Sequence, residues 1–127
     1  MKKKILVVDD ETAFLETIKM RLEANDYEVT TASSGKAALD KLKTTNPDAI
    51  LLDIMMPGLD GLEVLKKIRR KDKKLPVFIV SAYFNEARFK AANKLKASGF
   101  IAKTGDLKKE VENINSVLRL SESYNKP

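Results

Sequence analysis

The sequence contains neither cysteine nor histidine. Without cysteine the chain forms no disulfide and offers no thiolate ligand, and without histidine the other common zinc ligand is missing as well. Any metal that this protein binds must therefore be held by oxygen atoms.

Long apolar runs are also missing. No window approaches the roughly 20 uncharged apolar residues that a membrane span needs, and the apolar stretch after the lysines at positions 2–4 is too short for a signal sequence. We therefore expect a soluble, cytoplasmic protein without membrane contact. The length of 127 residues suits one domain with a single hydrophobic core.

Charge is distributed unevenly along the chain, whose net charge is +6. Residues 1–64 carry 8 basic and 12 acidic side chains, whereas residues 65–127 carry 16 basic and 6 acidic ones. Much of the basic excess lies in one run, namely Lys66, Lys67, Arg69, Arg70, Lys71, Lys73 and Lys74. We interpret this run as a solvated helix end, because cations suit a helix C-terminus and no aromatic residues interleave to stack on bases. Direct nucleic-acid binding is therefore not expected.

Apolar segments of strand length alternate with segments of helical periodicity five times. This alternation predicts an α/β fold with a parallel sheet covered by helices on both faces. The predicted strands are residues 4–9, 28–32, 49–53, 77–81 and 99–102. Apolar residues at helical spacing mark helices within residues 14–22, 37–42, 62–68, 89–95 and 107–118. The second and fifth strands are the more polar ones, so they belong nearer the sheet edges.

Short polar residues and glycine indicate where the helices begin and end. One of the serines at positions 33–34 is expected to start the second helix, Gly99 to end the fourth and Asp106 to cap the fifth. We expect residues 1–121 to form the domain and residues 122–127 to be a C-terminal tail or a linker remnant.

Charged and hydroxyl side chains stand where the predicted strands end. Asp9 and Asp10 follow the first strand, Asp53 ends the third, Ser81 ends the fourth and Lys103 follows the fifth. Taken singly each has an ordinary explanation, such as capping of a helix or solvation of a surface charge. Ligands of open parallel sheets bind beyond the carboxyl ends of the strands, however, so we expect these side chains to converge on one rim.

Asp53 stands between apolar residues on both sides, where a carboxylate is costly unless it is paired or bound to metal. Three clustered carboxylates repel one another, and a hard dication relieves that repulsion. Mg²⁺ is the expected ion, with Mn²⁺ as an alternative, because Mg²⁺ accepts one or two carboxylates together with water and phosphate oxygens. Lys103 and Ser81 would then bind oxygens of a phosphoryl group.

Four segments resemble the receiver domain of two-component response regulators. They are the acidic pair in ILVVDDE, the segment LLDIMMPGLDG, the hydroxyl in VSA and the lysine in FIAK, in the family's order and spacing over residues 3–121. Pro57 and Gly58 fit the family's turn after the aspartate, and Gly61 fits its close approach of the third helix. The resemblance implies a flavodoxin-like, doubly wound five-stranded parallel sheet of the (βα)5 type found in chemotaxis regulators, with strand order 2-1-3-4-5.

The resemblance also implies a chemistry for the rim. Asp53 would accept phosphorus from a phosphohistidine and become an aspartyl phosphate. Asp10, Asp53 and the backbone carbonyl of Met55 would ligate Mg²⁺, and Asp9 would reach the ion through water. The protein would catalyse its own phosphorylation and a slow dephosphorylation, while acting mainly as a signalling switch.

The partners implied by the resemblance are a sensor histidine kinase or a histidine phosphotransfer protein. After phosphorylation the hydroxyl of Ser81 would move toward the phosphoryl group and Phe100 would turn inward. The surface of helix four, strand five and helix five would then change shape and bind an output protein or a second copy of the chain.

Three residues depart from the family pattern. Thr104 stands where the family usually has proline, so we expect a trans turn with Lys103 aimed differently or held less firmly. Met55 and Tyr83 flank the path of the hydrolytic water in similar proteins. Because Met55 offers no hydrogen bond to orient a water and Tyr83 is bulky enough to obstruct one, we expect slow self-dephosphorylation.

Other functions fit the same residues less well. A haloacid-dehalogenase-type phosphatase has an acid two residues after its nucleophile, where this sequence has Met55. A flavin or dinucleotide binder needs a glycine- or hydroxyl-rich phosphate loop after the first strand, where this sequence has DDET. The alternative that remains open is a receiver-like interaction module that binds partners without being phosphorylated.

Overall fold

Five strands alternate with five helices in residues 2–56, 58, 60–83 and 85–124, the part of the chain that the computed structural model describes. The strands are β1 (Lys3–Val8), β2 (Tyr27–Ala32), β3 (Ala49–Leu52), β4 (Val77–Ser81) and β5 (Gly99–Ala102). The helices are α1 (Thr12–Ala24), α2 (Gly35–Thr45), α3 (Gly61–Lys71), α4 (Glu86–Lys94) and α5 (Leu107–Tyr124). Side chains are described as far as residue 121.

All five strands pair in parallel, in the order β2-β1-β3-β4-β5. Strand β1 lies between β2 and β3, with Val8 opposite Ala32 on one side and Leu52 on the other. The predicted fold class and strand order are confirmed. Because the strands are parallel, their carboxyl ends lie along one edge of the sheet.

The strands that carry the acidic residues end one residue earlier than predicted, β1 at Val8 and β3 at Leu52. The next residue of each strand is still tied to the sheet, since the Asp9 N–H donates to Ala32 O (3.1 Å) and the Asp53 N–H donates to Val8 O (3.0 Å). The backbones of both aspartates are therefore fixed by the sheet, while their side chains lie beyond its edge.

Apolar side chains cover both faces of the sheet, and neighbouring residues of β1 point to opposite faces. Ile5 and Val7 pack with buried residues of α1 and α5. Leu6 and Val8 pack with buried residues of α2, α3 and α4. The sheet therefore separates two apolar clusters, one on each face, where the length suggested a single core.

Most helix ends follow the sequence signals. Ser34 Oγ accepts a hydrogen bond from the backbone N–H three residues later (3.1 Å), and Asp106 Oδ1 does the same at α5 (3.3 Å). The prediction that Gly99 ends the fourth helix is wrong, because Lys96 adopts the left-handed conformation (φ 59°) and Gly99 begins β5. Helix α5 runs on to Tyr124, into the segment expected to be a tail. No helix in the described residues has the length and apolarity that crossing a bilayer requires.

Arg69 is buried, although its six companions in the basic run are exposed. Its guanidinium donates to the backbone carbonyls of Leu95 (3.3 Å) and Lys96 (2.8 and 3.2 Å) at the end of α4. It also donates to Asp72 O (3.1 Å) and Leu75 O (2.7 Å) after α3. The interpretation of the run as a solvated helix end is therefore wrong for Arg69, which joins the C-terminal ends of two helices.

Replacing Arg69 with alanine should lower the free energy of unfolding by about 2 to 4 kcal/mol, because several carbonyls lose their donor in a partly buried site. Urea denaturation followed by circular dichroism measures this change. Arg70→Ala is the matched control, since Arg70 is the exposed neighbour on the same helix and its loss should cost no more than about 0.5 kcal/mol. Equal stabilities of the two variants would contradict the joining role.

Candidate functional site

Three carboxylates meet at the carboxyl edge of the sheet. Because β1 and β3 are paired neighbours, Asp9 and Asp53 emerge side by side, and Asp10 follows Asp9. One oxygen from each of Asp9, Asp10 and Asp53 lies within 4.8 Å of the other two. Asp9 is 1% exposed and Asp53 is 5% exposed, whereas Asp10 is open to solvent. The sequence-based expectation that these residues converge agrees with their placement.

Lys103 enters the same cluster from the end of β5. Its Nζ lies 2.5 Å from Asp9 Oδ2, 2.9 Å from Glu11 Oε1 and 3.6 Å from Asp53 Oδ2. The side chain is only 8% exposed. No peptide bond among the described residues is cis, so the bond to Thr104 is trans as expected. In this trans turn the ammonium of Lys103 contacts three carboxylates.

The shared burial changes the proton affinities of these groups. Burial raises the pKa of Asp53 to about 6; the Met55 N–H and Lys103 oppose this rise, and the negative charges of Asp9 and Asp10 add to it. Burial also raises the pKa of Asp9, against the effect of Lys103. For Lys103, burial acts to lower the pKa, but the contacts with Asp9 and Glu11 outweigh it and the pKa is raised. Negative charge is thus in excess, and a cation would relieve it.

The donor set fits a hard metal ion. All three carboxylates offer oxygen, and Asp9 Oδ2 is buried without a directed hydrogen bond among the described residues, although Lys103 is close enough to form an ion pair with it. Asp53 Oδ1 accepts from the Met55 N–H (2.9 Å), which leaves Oδ2 on the side of Lys103. Oxygen ligands with excess negative charge are what Mg²⁺ and Mn²⁺ prefer.

The hydroxyl of Ser81 is hydrogen-bonded to its own loop rather than to the carboxylates that the structure describes. Ser81 ends β4 and is 1% exposed, but its Oγ donates to Tyr83 O (3.1 Å) and accepts from Tyr83 N (3.2 Å). The side chain of Tyr83 is 61% exposed, and that of Met55 is 43% exposed. The side chains of both residues that the sequence suggested as shields of the site are thus open to solvent.

The aromatic residue Phe100 lies on β5, partly buried against the core on the α4 side. Its ring packs on Phe89 of α4, with centroids 4.5 Å apart and planes inclined by 31°. The ring is therefore in contact with α4, the helix that follows the Ser81 loop.

Gly61 lets α3 approach the backbone of Asp53. A Cβ at this position would lie 2.3 Å from Asp53 O and 2.5 Å from Ile54 Cα, so no larger residue fits without a backbone shift. Gly58 has a φ of 76°, a conformation that glycine adopts most readily. Both glycines match the roles that the resemblance implied, while Pro57 lies outside the described residues.

Sequence reasoning gave no role to three residues that border the site. Glu11 and Phe14 both contact Lys103, the latter with its ring centroid 4.3 Å from Nζ. Arg88 of α4 donates to Ile54 O (3.4 Å), directly after Asp53. Glu11 and Phe14 are visible in the sequence as the acid in DDE and the aromatic residue three positions later. Their spacing alone does not show against which strand end the first turn of that helix lies.

The sequence matches the response regulator receiver domain family over residues 5–115. The alkaline phosphatase synthesis transcriptional regulatory protein PhoP of Bacillus subtilis (strain 168) is 38% identical over 122 residues, which are 96% of this chain and 51% of that protein. Response regulator MprA of Mycolicibacterium vanbaalenii is 35% identical over 119 residues, 94% of this chain and 52% of that protein. The chain spans about half the length of these curated relatives.

Two solved structures match along almost their whole length. The phosphorylated cyanobacterial phytochrome response regulator RcpA has a TM-score of 0.89 at 28% identity, over 99% of this chain and 98% of that one. The CheY-like receiver domain protein of Methanospirillum hungatei JF-1 has a TM-score of 0.87 at 28% identity, over 98% of this chain and 100% of that one. Sequence, strand order and the acidic cluster at the sheet edge agree, and the chain belongs to the response regulator receiver domains of two-component signal transduction.

Proposed function

We propose that Asp53 accepts a phosphoryl group in a Mg²⁺-dependent reaction and that phosphorylation switches the surface formed by α4, β5 and α5. Phosphorylation-based switching is the general role of this family. The observation that carries the assignment to Asp53 is its position: a buried carboxylate beside two others, with the ammonium of Lys103 3.6 Å from Oδ2. One similar structure is of a phosphorylated response regulator, which supports the same chemistry here.

The residues that would hold the ion are Asp10, Asp53 and the backbone carbonyl of Met55, with Asp9 reaching it through water. Mg²⁺ would supply positive charge that offsets the repulsion between the carboxylates and the incoming phosphoryl oxygens. The buried Asp9 Oδ2 and the exposed Asp10 suit this division, because the exposed carboxylate is the one that solvent ions reach first.

The phosphoryl donor would be the phosphohistidine of a sensor histidine kinase or a histidine phosphotransfer protein. An oxygen of ionised Asp53 would attack phosphorus, the phosphorus–nitrogen bond would break, and the imidazole would leave. Lys103 would stabilise the charge on a phosphoryl oxygen from its position beside Oδ2. Because the metal-free pKa of Asp53 is about 6, the carboxylate is mostly ionised at neutral pH and ready to attack.

The switch would begin at Ser81. Its Oγ would exchange the two hydrogen bonds with the Tyr83 backbone for a phosphoryl oxygen, which would draw the β4–α4 loop toward the site. Movement of this loop would change the packing of Phe100 on Phe89, and with it the α4, β5 and α5 surface. That surface would bind an output protein or a second copy of the chain.

Asp53→Asn should abolish phosphorylation, because the amide provides no nucleophilic oxygen anion. Intact-mass spectrometry after treatment with acetyl phosphate and Mg²⁺ measures the result, with Asp40→Asn on the exposed face of α2 as the control that should still gain one phosphate. Phosphate on the Asp53→Asn variant would refute the assignment. Absence of phosphate on the unmodified protein would favour the interaction module that binds partners without phosphorylation.

Met55→Asn should shorten the lifetime of the phosphorylated protein by up to about tenfold, the worth of one added hydrogen bond to the hydrolytic water. The side chain at this position is 43% exposed, so the amide can reach solvent without repacking the core. Lifetimes are measured by the decay of the phosphorylated mass after the phosphodonor is removed. An unchanged or longer lifetime would show that Met55 does not shield the site.

Asp53→Asn should also stabilise the metal-free protein above pH 7. Folding raises the pKa of Asp53 from 3.8 to about 6. Above pH 7 the ionised carboxylate therefore lowers the free energy of unfolding by at most about 3 kcal/mol. This loss of stability disappears as the pH falls toward about 4. Because about 3 kcal/mol is the upper limit of this loss, we expect a gain of about 1 to 2 kcal/mol at pH 8.

Urea denaturation in EDTA at pH 8 and at pH 4.5 measures this difference. Mg²⁺ at pH 8 should stabilise the unmodified protein, because the ion binds the folded carboxylates, and so reduce the difference in unfolding free energy between it and Asp53→Asn. A difference in unfolding free energy that is the same at both pH values would contradict the electrostatic cause.

A further inference from the structure

Among the described residues, four side chains contact the ammonium of Lys103, and they fall into two classes. Asp9 and Asp53 belong to the group that would take part in metal and phosphoryl binding. Glu11 immediately precedes α1 and Phe14 lies in its first turn. Neither residue is assigned to the ion or to the phosphoryl group. If an ion and a phosphoryl group occupied the carboxylates, Glu11 and Phe14 would be the described contacts that still hold the side chain of Lys103.

The side chain of Glu11 contacts Lys103 instead of capping its own helix. It occupies the N-cap position of α1 with an extended backbone (φ −86°, ψ 103°), yet its side chain makes no capping hydrogen bond. The carboxylate instead lies 2.9 Å from Nζ of a residue 92 positions away in the sequence. Its backbone N–H donates to Asp9 Oδ1 (2.9 Å), so one residue is bonded to both members of the Asp9–Lys103 ion pair.

We propose that Glu11 is a positioning residue that keeps Lys103 aimed at the phosphoryl site when Asp9 turns to the metal ion. This inference rests on the proposed function. Asp9 is the nearest partner of Lys103 without metal, at 2.5 Å, and a cation bound nearby weakens that attraction. Glu11 approaches Nζ from the solvent side, with 64% of its side chain exposed, so its contact remains when the interior carboxylates change partners.

Phe14 is the second residue at the start of α1 that positions Lys103. Its ring lies three residues after Glu11, and the ammonium of Lys103 stands 4.3 Å from the ring centroid, within the range of a cation–π attraction. The lysine side chain has four rotatable bonds, and ordering it costs conformational entropy each time it binds. Two fixed contacts from one helical turn lower that cost before the phosphoryl group arrives.

The first arm of the test measures the accessibility of Lys103 without reference to phosphorylation. An amine-reactive acetylating ester is applied, and acetylation at Lys103 is quantified by peptide mapping. Glu11→Ala should raise the rate at Lys103 about two- to fivefold in EDTA, the effect expected of a partly exposed ion pair. The increase should be larger with Mg²⁺. Glu11→Asp, which keeps a carboxylate, should restore part of the protection.

Glu16→Ala is the matched control, because it removes the same charge from an exposed position of α1 that makes no contact with Lys103 in the described structure. Its acetylation rate at Lys103 should equal that of the unmodified protein. If Glu11→Ala and Glu16→Ala label Lys103 at the same rate in EDTA and in Mg²⁺, the positioning role is overturned.

The second arm measures the initial rate of phosphorylation by acetyl phosphate with Mg²⁺. Glu11→Ala should be about two- to fivefold slower than Glu16→Ala, with the same final mass gain. Faster labelling combined with an unchanged phosphorylation rate would overturn the role in the reaction. If the unmodified protein gains no phosphate at all, the proposed function fails, while the labelling arm still decides whether Glu11 holds Lys103.

Discussion

The ion pair between buried Asp9 and Lys103 is the interaction on which the site depends. Two nearly buried carboxylates and one nearly buried ammonium share a small volume, where none of the three could remain charged alone. The lysine keeps the carboxylates charged, and the carboxylates keep the lysine aimed inward. The balance is still negative, as the raised pKa of Asp53 shows. A bound cation would relieve this residual negative charge.

The sheet holds these like charges together by fixing their backbones. The backbone N–H groups of Asp9 and Asp53 donate to Ala32 of β2 and Val8 of β1, so the backbones of the two residues cannot separate without breaking these bonds. Gly61 brings α3 against the carbonyl of Asp53 from the other side. The paired strands and α3 therefore hold the acidic residues close together despite their repulsion. Binding of a cation would relieve that repulsion without moving the strands apart.

The sequence was most informative where backbone pattern alone decides position. Alternating apolar segments fix a parallel sheet, and a parallel sheet brings Asp9, Asp53 and Lys103 to one edge whatever their rotamers. It was least informative where a side chain chooses between partners. Ser81 bonds to its own loop, and Arg69 turns from an exposed basic run into carbonyls at two helix ends. These choices depend on distances between elements that are far apart in the chain.

Helix α4 makes stronger hydrogen bonds at its C-terminal end than at its first turn, and this difference affects how the proposed switch would move the helix. Its C-terminal end accepts strong hydrogen bonds from buried Arg69, the shortest 2.8 Å long. Its first turn is tied to the Asp53 loop only by Arg88, among the described residues, at 3.4 Å from Ile54 O and 3.9 Å from Asp60. A rearrangement of that loop would therefore move the first turn of α4 more than its last, so that the helix pivots about the end that Arg69 holds.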